Sequence, residues 1–172
     1  PVKKNYDLLK INTKDIDKIK CYNYAIGDDE EQKFIFYGKY NVGQASFFNT
    51  QWTKSNGEFV SVKSAKTLPK ADIVKIDAEG SEIQILTHMI IEPDVIVVEY
   101  HPYNGIESHT KLTKILKNYI PYSIEKSSNS LGIIKYFHKN IKFDICGETN
   151  HIDNFLKIKK SVSINYQWNP TT

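Results

Sequence analysis

The chain has 172 residues, 40% of them hydrophobic and 25% charged, a composition that suits one ordinary globular domain with a real core. Its net charge of +3 is spread along the chain, all 23 cations are lysines, and no apolar run approaches the roughly 18 to 20 residues that span a bilayer. Without arginine, the bidentate reader of phosphate and guanine, no nucleic-acid partner is expected; without a span or a secretory pattern, no membrane partner is expected and the reading is cytoplasmic. Cys21 and Cys146 lie far apart with no CxxC or Cys/His ligand spacing, and are read as buried or half-buried thiols.

In chain order, residues 2–14 place Val2, Tyr6 and Leu9, with Leu8 beside them, at the spacing of a short amphipathic helix. Residues 19–26 read as a strand, closed by turn chemistry at Gly27, Asp28 and Asp29. Residues 33–37 alternate around Phe34 and Phe36 as a second strand. Residues 41–48 read as a loop running into a short strand, and 58–64 as a further strand carrying Phe59, Val60 and Val62.

The clearest patterning begins at Asp72. Residues 73–76 are a β-branched run. Ser81 then stands as an N-cap before a helix over 82–91, with Ile83, Leu86 and Ile90 on one face and Pro93 as its stop. Residues 95–98 are wholly apolar, as in a central parallel strand. A helix over 110–119 puts Leu112, Ile115, Leu116 and Tyr119 on one side. Residues 122–124 and 131–137 flank a polar turn and read as a hairpin. The pattern implies an α/β sheet, parallel in the middle with an antiparallel edge, in a single domain over 1–172. The tail from Lys142 has weak periodicity; Phe155, Tyr166 and Trp168 could cover the core or a partner.

Open parallel sheets bind ligands beyond the carboxyl ends of their strands. Two segments put polar groups there: Asp77, Glu79, Gly80 and Glu82 after the 73–76 strand, and Glu99, His101 and Pro102 after the 95–98 strand. If the strands are neighbours, these carboxylates and one imidazole converge. A bland reading competes for each. Glu79 and Glu82 stand where a helix macrodipole stabilises acidic residues by about 0.3 to 1 kcal/mol. Glu99 could simply leave the strand for water, and His101 could be a surface histidine. Asp77 is harder to dismiss, because a carboxylate closing a buried strand needs a partner or solvent. His88, His109, His138 and His151 have no ligand spacing and are read as structural or solvated.

The block VKIDAEGSEIQIL at residues 74–86 resembles the KxDxEGxExxxL signature of the FkbM-type methyltransferases, through Lys75, Asp77, Glu79, Gly80, Glu82 and Leu86. Residues 93–102 resemble that family's next strand, which ends in Glu-x-His. Residues 25–28 resemble its AxGD segment, and residues 43–46 the Gly/Ser-rich stretch that follows. The resemblance spans roughly residues 1–141, leaving 142–172 as a C-terminal extension. It implies a Rossmann-like methyltransferase sheet, mostly parallel with an antiparallel C-terminal hairpin. It also implies S-adenosylmethionine as methyl donor, and O-methylation of a sugar, glycan or small hydroxylated metabolite. Carried over by position, Asp77 would lie near the amino-acid end of the cofactor, and Tyr24, Ala25 and Ile26 would border its adenine. Glu79, Glu82, Glu99 and His101 would form the acceptor side, with His101 as the base that takes the acceptor proton. No metal ligand set is implied, although the carboxylates could instead hold a divalent cation. Aromatic groups near the site, such as Tyr100 and Tyr103, could stack on a sugar face.

The family's glycine-rich loop after its first strand, and the ribose-binding acid after its second, have no counterpart here, so the first two strands of the expected sheet are missing from this chain. That leaves a second reading: a catalytically inactive methyltransferase-like remnant or binding module, forming a homodimer through an exposed sheet edge. A third is a metal-dependent hydrolase using Asp77, Glu79, Glu99 and His101, for which no HxH or HExxH spacing speaks.

Overall fold

The computed structural model describes residues 1–39, 42–49, 56–101, 108–127, 131–141, 144, 145, 148 and 149. Two compact units divide the chain, Pro1–Lys139 and Asn140–Thr172. In the second, β8 (Asp144–Ile145) and β9 (Glu148–Thr149) pair antiparallel. Pro102, Tyr103, the 128–130 turn, Cys146, His151, Phe155, Tyr166 and Trp168 lie outside the described residues.

The first unit holds two sheets rather than the single one expected. β1 (Ala25–Gly27), β2 (Glu31–Tyr37) and β3 (Asn56–Ser64) form a sheet in the order β1-β3-β2. β4 (Ile73–Asp77), β5 (Val95–Tyr100), β6 (Tyr119–Lys126) and β7 (Gly132–His138) form another, in the order β4-β5-β7-β6. The expectation of a mostly parallel sheet is corrected. Among the described residues, parallel pairing is confined to β1–β3 and β4–β5, while β2–β3, β5–β7 and β6–β7 run antiparallel. The cause is the hairpin, which folds back to lay β7 directly beside β5, so the central strand is parallel on one edge and antiparallel on the other.

β5 shows how sequence becomes core. Its alternate residues Ile96, Val98 and Tyr100 are fully buried, while Val95, Val97 and Glu99 on the opposite face are only half-buried. The buried face packs under Ile85 and Leu86 of α2 (Glu82–His88) and Leu112 and Leu116 around α3 (Ser108–Ile115), with Ile134 and Tyr136 of β7 completing the cluster. Each such aliphatic side chain contributes about 1.5 to 3 kcal/mol. Gly132 opens β7 because a Cβ there would meet the Glu125 carbonyl and lie 2.7 Å from the Tyr100 hydroxyl.

Two helix expectations change. α2 ends at His88, so Ile90 falls past the helix and is 71% exposed rather than on its inner face. Tyr119 is not the last residue of α3 but the first of β6, where its hydroxyl donates to the Pro93 carbonyl. Burial pushes that phenol up to about 12, aided by the charges of Glu92 and Asp94.

The three-stranded sheet has a smaller core of Ala25, Ile35, Val60 and Val62, closed by Val2 and the 42–47 segment. In β2 the inward side chain is Ile35; Phe34 and Phe36 share the other face, where Phe34 stacks edge-on against both Phe36 and the exposed Phe59. The 41–48 expectation becomes a single 3-10 turn (Val42–Gln44) and one bridge from Ser46 to Phe36. α1 (Lys3–Asn12) buries none of its own residues, and Leu8 and Leu9 are exposed. The strand expected over 19–26 shrinks to β1, because residues 19–24 have no strand beside them among the described residues, and a strand is defined by its hydrogen-bonded neighbour. Cys21 is a free, half-buried thiol 3.3 Å from the Thr13 hydroxyl. No helix among the described residues is long and apolar enough to cross a membrane.

Candidate active site

Parallel pairing sets Asp77 directly beside Glu99 at the carboxyl ends of β4 and β5. The chain then leaves β4 through a tight turn whose geometry is unusual. Glu79 has φ 47° and Gly80 φ 102°, so two consecutive residues sit in the left-handed region. Glycine adopts it freely, whereas for glutamate it costs roughly 1 to 2 kcal/mol. Strain of this kind persists only where surrounding contacts hold it, and it concentrates at functional sites.

Two contacts hold this one. The Ser46 hydroxyl donates to the Glu79 carbonyl at 2.6 Å, from the loop after β2. From the other side, Glu82 Oε1 accepts the backbone N–H groups of Ala78 at 3.1 Å and Gly80 at 3.0 Å. The same oxygen lies 2.9 Å from His101 Nδ1. Glu82 is thus the buried clamp of the turn, only 2% exposed, and is not among the residues lining the cleft beside it. Ser81 was expected to cap α2; it makes no side-chain cap, and its buried hydroxyl has no hydrogen-bond partner.

His101 is held at both ring nitrogens: Nδ1 by Glu82, and Nε2 by Glu79 Oε2 at 3.4 Å. Its side chain is 14% exposed, so it is not the solvated surface histidine of the bland reading. Burial alone would lower its pKa, but the Glu82 hydrogen bond and charge, with the charges of Glu79 and Asp77, outweigh that and hold it above the ordinary value. Burial also raises the Glu79 carboxyl; the nearby imidazole opposes this, but Asp77, Glu82 and Glu99 add to the rise. Asp77 is the most open of the group and pairs with Lys75 at 2.8 Å.

A cleft of about 360 Å³ opens against this turn. Its walls include Tyr24, Ala25 and Ile26 on the β1 side and Val74, Asp77, Glu79 and Ser81 on the β4 side. Glu99 and His101 are not among its lining residues; His101 meets the cleft through Glu79. The expected cofactor-side and acceptor-side residues therefore share one region, with Glu82 beneath it and Glu99 to one side. Asp77, Glu79 and His101 also bring ligand-type atoms within 4.8 Å of one another, which a divalent cation could span. That spacing does not by itself make them ligands, since Lys75 already meets one oxygen of Asp77, Oδ2, and the imidazole already partners Glu79.

Sequence reasoning missed Ser46 as the support of the Glu79 turn and Glu82 as its clamp. No spacing rule signals the first; the second was visible only as a glutamate three residues after an acidic one. His88 and His138 hold structural contacts, with the Gln84 carbonyl and the Tyr119 ring. Compared with known proteins, the chain matches no family model, no curated protein and no solved structure.

Proposed function

We propose that the protein is an S-adenosylmethionine-dependent methyltransferase acting on a hydroxyl of a sugar or small metabolite, built on a Rossmann-like sheet. The observation that carries this reading is the cleft, with Tyr24, Ala25 and Ile26 on one wall, and Asp77 and Glu79 at the end of a parallel strand on the other. The strand order β4-β5-β7-β6, with a reversed β7, agrees with the hairpin-ended sheet that the resemblance implies.

The residues present fit parts of the cofactor. Apolar Ala25, Ile26 and Val74 suit a flat purine, the Asp77 carboxylate suits an ammonium group, and the orphaned Ser81 hydroxyl in the cleft wall is a polar group with a bond to give. The glycine-rich loop and ribose-binding acid of the resembled family have no counterpart in these residues. S-adenosylmethionine, when bound, supplies an electrophilic methyl group. The chain's own task is to orient an acceptor hydroxyl and take its proton. That proton goes to the Glu79–His101 pair, where Glu79 and Glu82 flank the imidazolium that forms. Glu99, to one side of the cleft, would offer an acceptor to a further hydroxyl of the substrate.

The test is calorimetric titration with S-adenosylhomocysteine of this chain and of the product of its complete reading frame. Binding that weakens in Asp77→Asn supports the reading; no binding by either protein overturns it. A second reading, a non-catalytic module that self-associates, is favoured by the outer edges of β1 and β4, which pair with no strand among the described residues. Sedimentation that shows a concentration-independent monomer removes it.

A further inference from the structure

Glu82 is a buried carboxylate whose place is not explained by helix capping alone. One oxygen, Oε1, receives the Ala78 and Gly80 N–H groups and faces His101 Nδ1. A carboxylate that already accepts two backbone donors is fixed in place and cannot rotate away from the ring. The ring nitrogen 2.9 Å from that oxygen is placed to be its third donor, whereas Glu79 stands farther from the opposite nitrogen, at 3.4 Å, so the geometry favours hydrogen on Nδ1. The opposite nitrogen then faces Glu79 and the cleft beyond it.

We propose that Glu82 is the positioning residue of the proton-accepting pair: it holds His101 in the tautomer with hydrogen on Nδ1, and through the same oxygen fixes the turn that aims Glu79 at Nε2. This rests on the methyltransferase reading for its purpose but not for its geometry. Nε2 lies 3.4 Å from Glu79 Oε2, close enough for a proton to be shared between them. When the acceptor O–H bond breaks, its proton passes to Glu79, which lines the cleft, and from it to Nε2, forming an N–H bond whose hydrogen Glu79 accepts. The imidazolium charge is then met from both sides, by Glu79 and by Glu82. Afterwards the proton leaves to solvent past the half-exposed Asp77. The same logic orients the imidazole in a serine protease triad, where a buried carboxylate sets the tautomer without itself taking the proton. The groups facing the ring are Glu82 beneath, Glu79 at Nε2, and Asp77 with its Lys75 partner at the end of β4.

The tautomer can be read directly, without methyl donor or acceptor, by long-range proton–nitrogen NMR of the imidazoles of the folded chain across pH. The His101 signals are identified among the five histidines by their loss in His101→Gln. The expected result is a neutral ring protonated at Nδ1. Glu82→Gln keeps an oxygen for all three donors but loses the charge, so it retains that tautomer while the titration midpoint of the ring falls by about 1 to 3 pH units. A neutral ring protonated at Nε2 in the unaltered chain overturns the proposal, as does a midpoint unmoved by Glu82→Gln. The first measurement needs no variant, so a misfolded Glu82→Gln leaves the proposal testable. Because no cofactor is present, failure here leaves the methyltransferase reading standing, and failure to bind S-adenosylhomocysteine leaves this one standing.

Discussion

Two regions of the first unit use the same kinds of residue to opposite effect. In the four-stranded sheet and the helix α3 over it, Ile96, Val98, Ile134 and Leu112 have no exposure at all, because β5 has a strand on each edge and two helices over one face. In the region leading to the three-stranded sheet, Ile11, Ile16, Ile19 and Tyr22 are each between 45% and 62% exposed. Apolar character is alike in both; what differs is whether a second layer lies opposite. Apolar side chains become core only where the topology brings another layer to them.

The largest effect should come from cutting into the covered layer. Ile96→Ala removes methyl groups from the centre of the cluster and should cost about 2 to 5 kcal/mol. Denaturant unfolding would measure it. A loss below about 1 kcal/mol would mean that β5 is not the centre of the molecule, and the contrast between the two regions would fail.

Glu82→Ala comes next. It leaves two turn N–H groups and one side of His101 without their partner in a buried setting, and should cost about 3 kcal/mol. This sharpens the comparison, since it asks whether a polar residue in the covered half can matter as much as an apolar one. Hydrogen exchange at the Ala78 and Gly80 amides should accelerate in the same variant, and unchanged exchange would mean that the turn is held by Ser46 alone.

How far such differences were readable in sequence depends on their range. The strands expected over 73–76 and 95–98 and the helix between them were legible because their patterns are local, a β-branched run and a 3.6-residue period, although the helix ends at His88, short of the proline stop. Which residues stood at the strand ends followed at once, and so did the meeting of Asp77, Glu79 and His101. The division into two sheets was not legible, because alternation along residues 19–26 looks the same whether or not a neighbour exists to receive its hydrogen bonds. Glu82 shows the same limit from the other side. Its charge suggested the rim of a site, and only the packing of α2 against β4 and β5 turns it inward.

A smaller effect concerns pH. Both His101 and Glu79 have folded-state pKa values raised above their ordinary values, so the native state holds more protons than the unfolded chain between them. Stability from these groups is therefore fully present below the ordinary carboxylate value and is lost as pH rises, first through Glu79 and then through His101. The melting temperature should fall as pH rises from the ordinary carboxylate range through and beyond the ordinary histidine value, and less steeply in a Glu79→Gln, His101→Gln double variant. A steeper fall in the double variant would reverse the sign and remove the shared-proton pair. Under the proposed function, methyl transfer would run the other way: the pair must be empty to accept a proton, so its rate should rise with pH through the same range.

The smallest effect is expected in the uncovered region, and it is the one that could overturn the contrast most directly. Ile19→Ser and Tyr22→Ser replace side chains that are already 45% and 59% exposed, so each should change stability by no more than about 0.5 kcal/mol. They should also leave the sedimentation coefficient unchanged. If either variant instead costs as much as a core substitution, these side chains are covered in solution by something that this chain's own described residues do not provide. A cost that grows with protein concentration would identify the cover as a second copy, joining through the free edge of β1. A cost independent of concentration would identify it as chain beyond the described residues. Either result would convert the exposed apolar row from a property of one region into the missing half of its layer, by the same rule that buries Ile96.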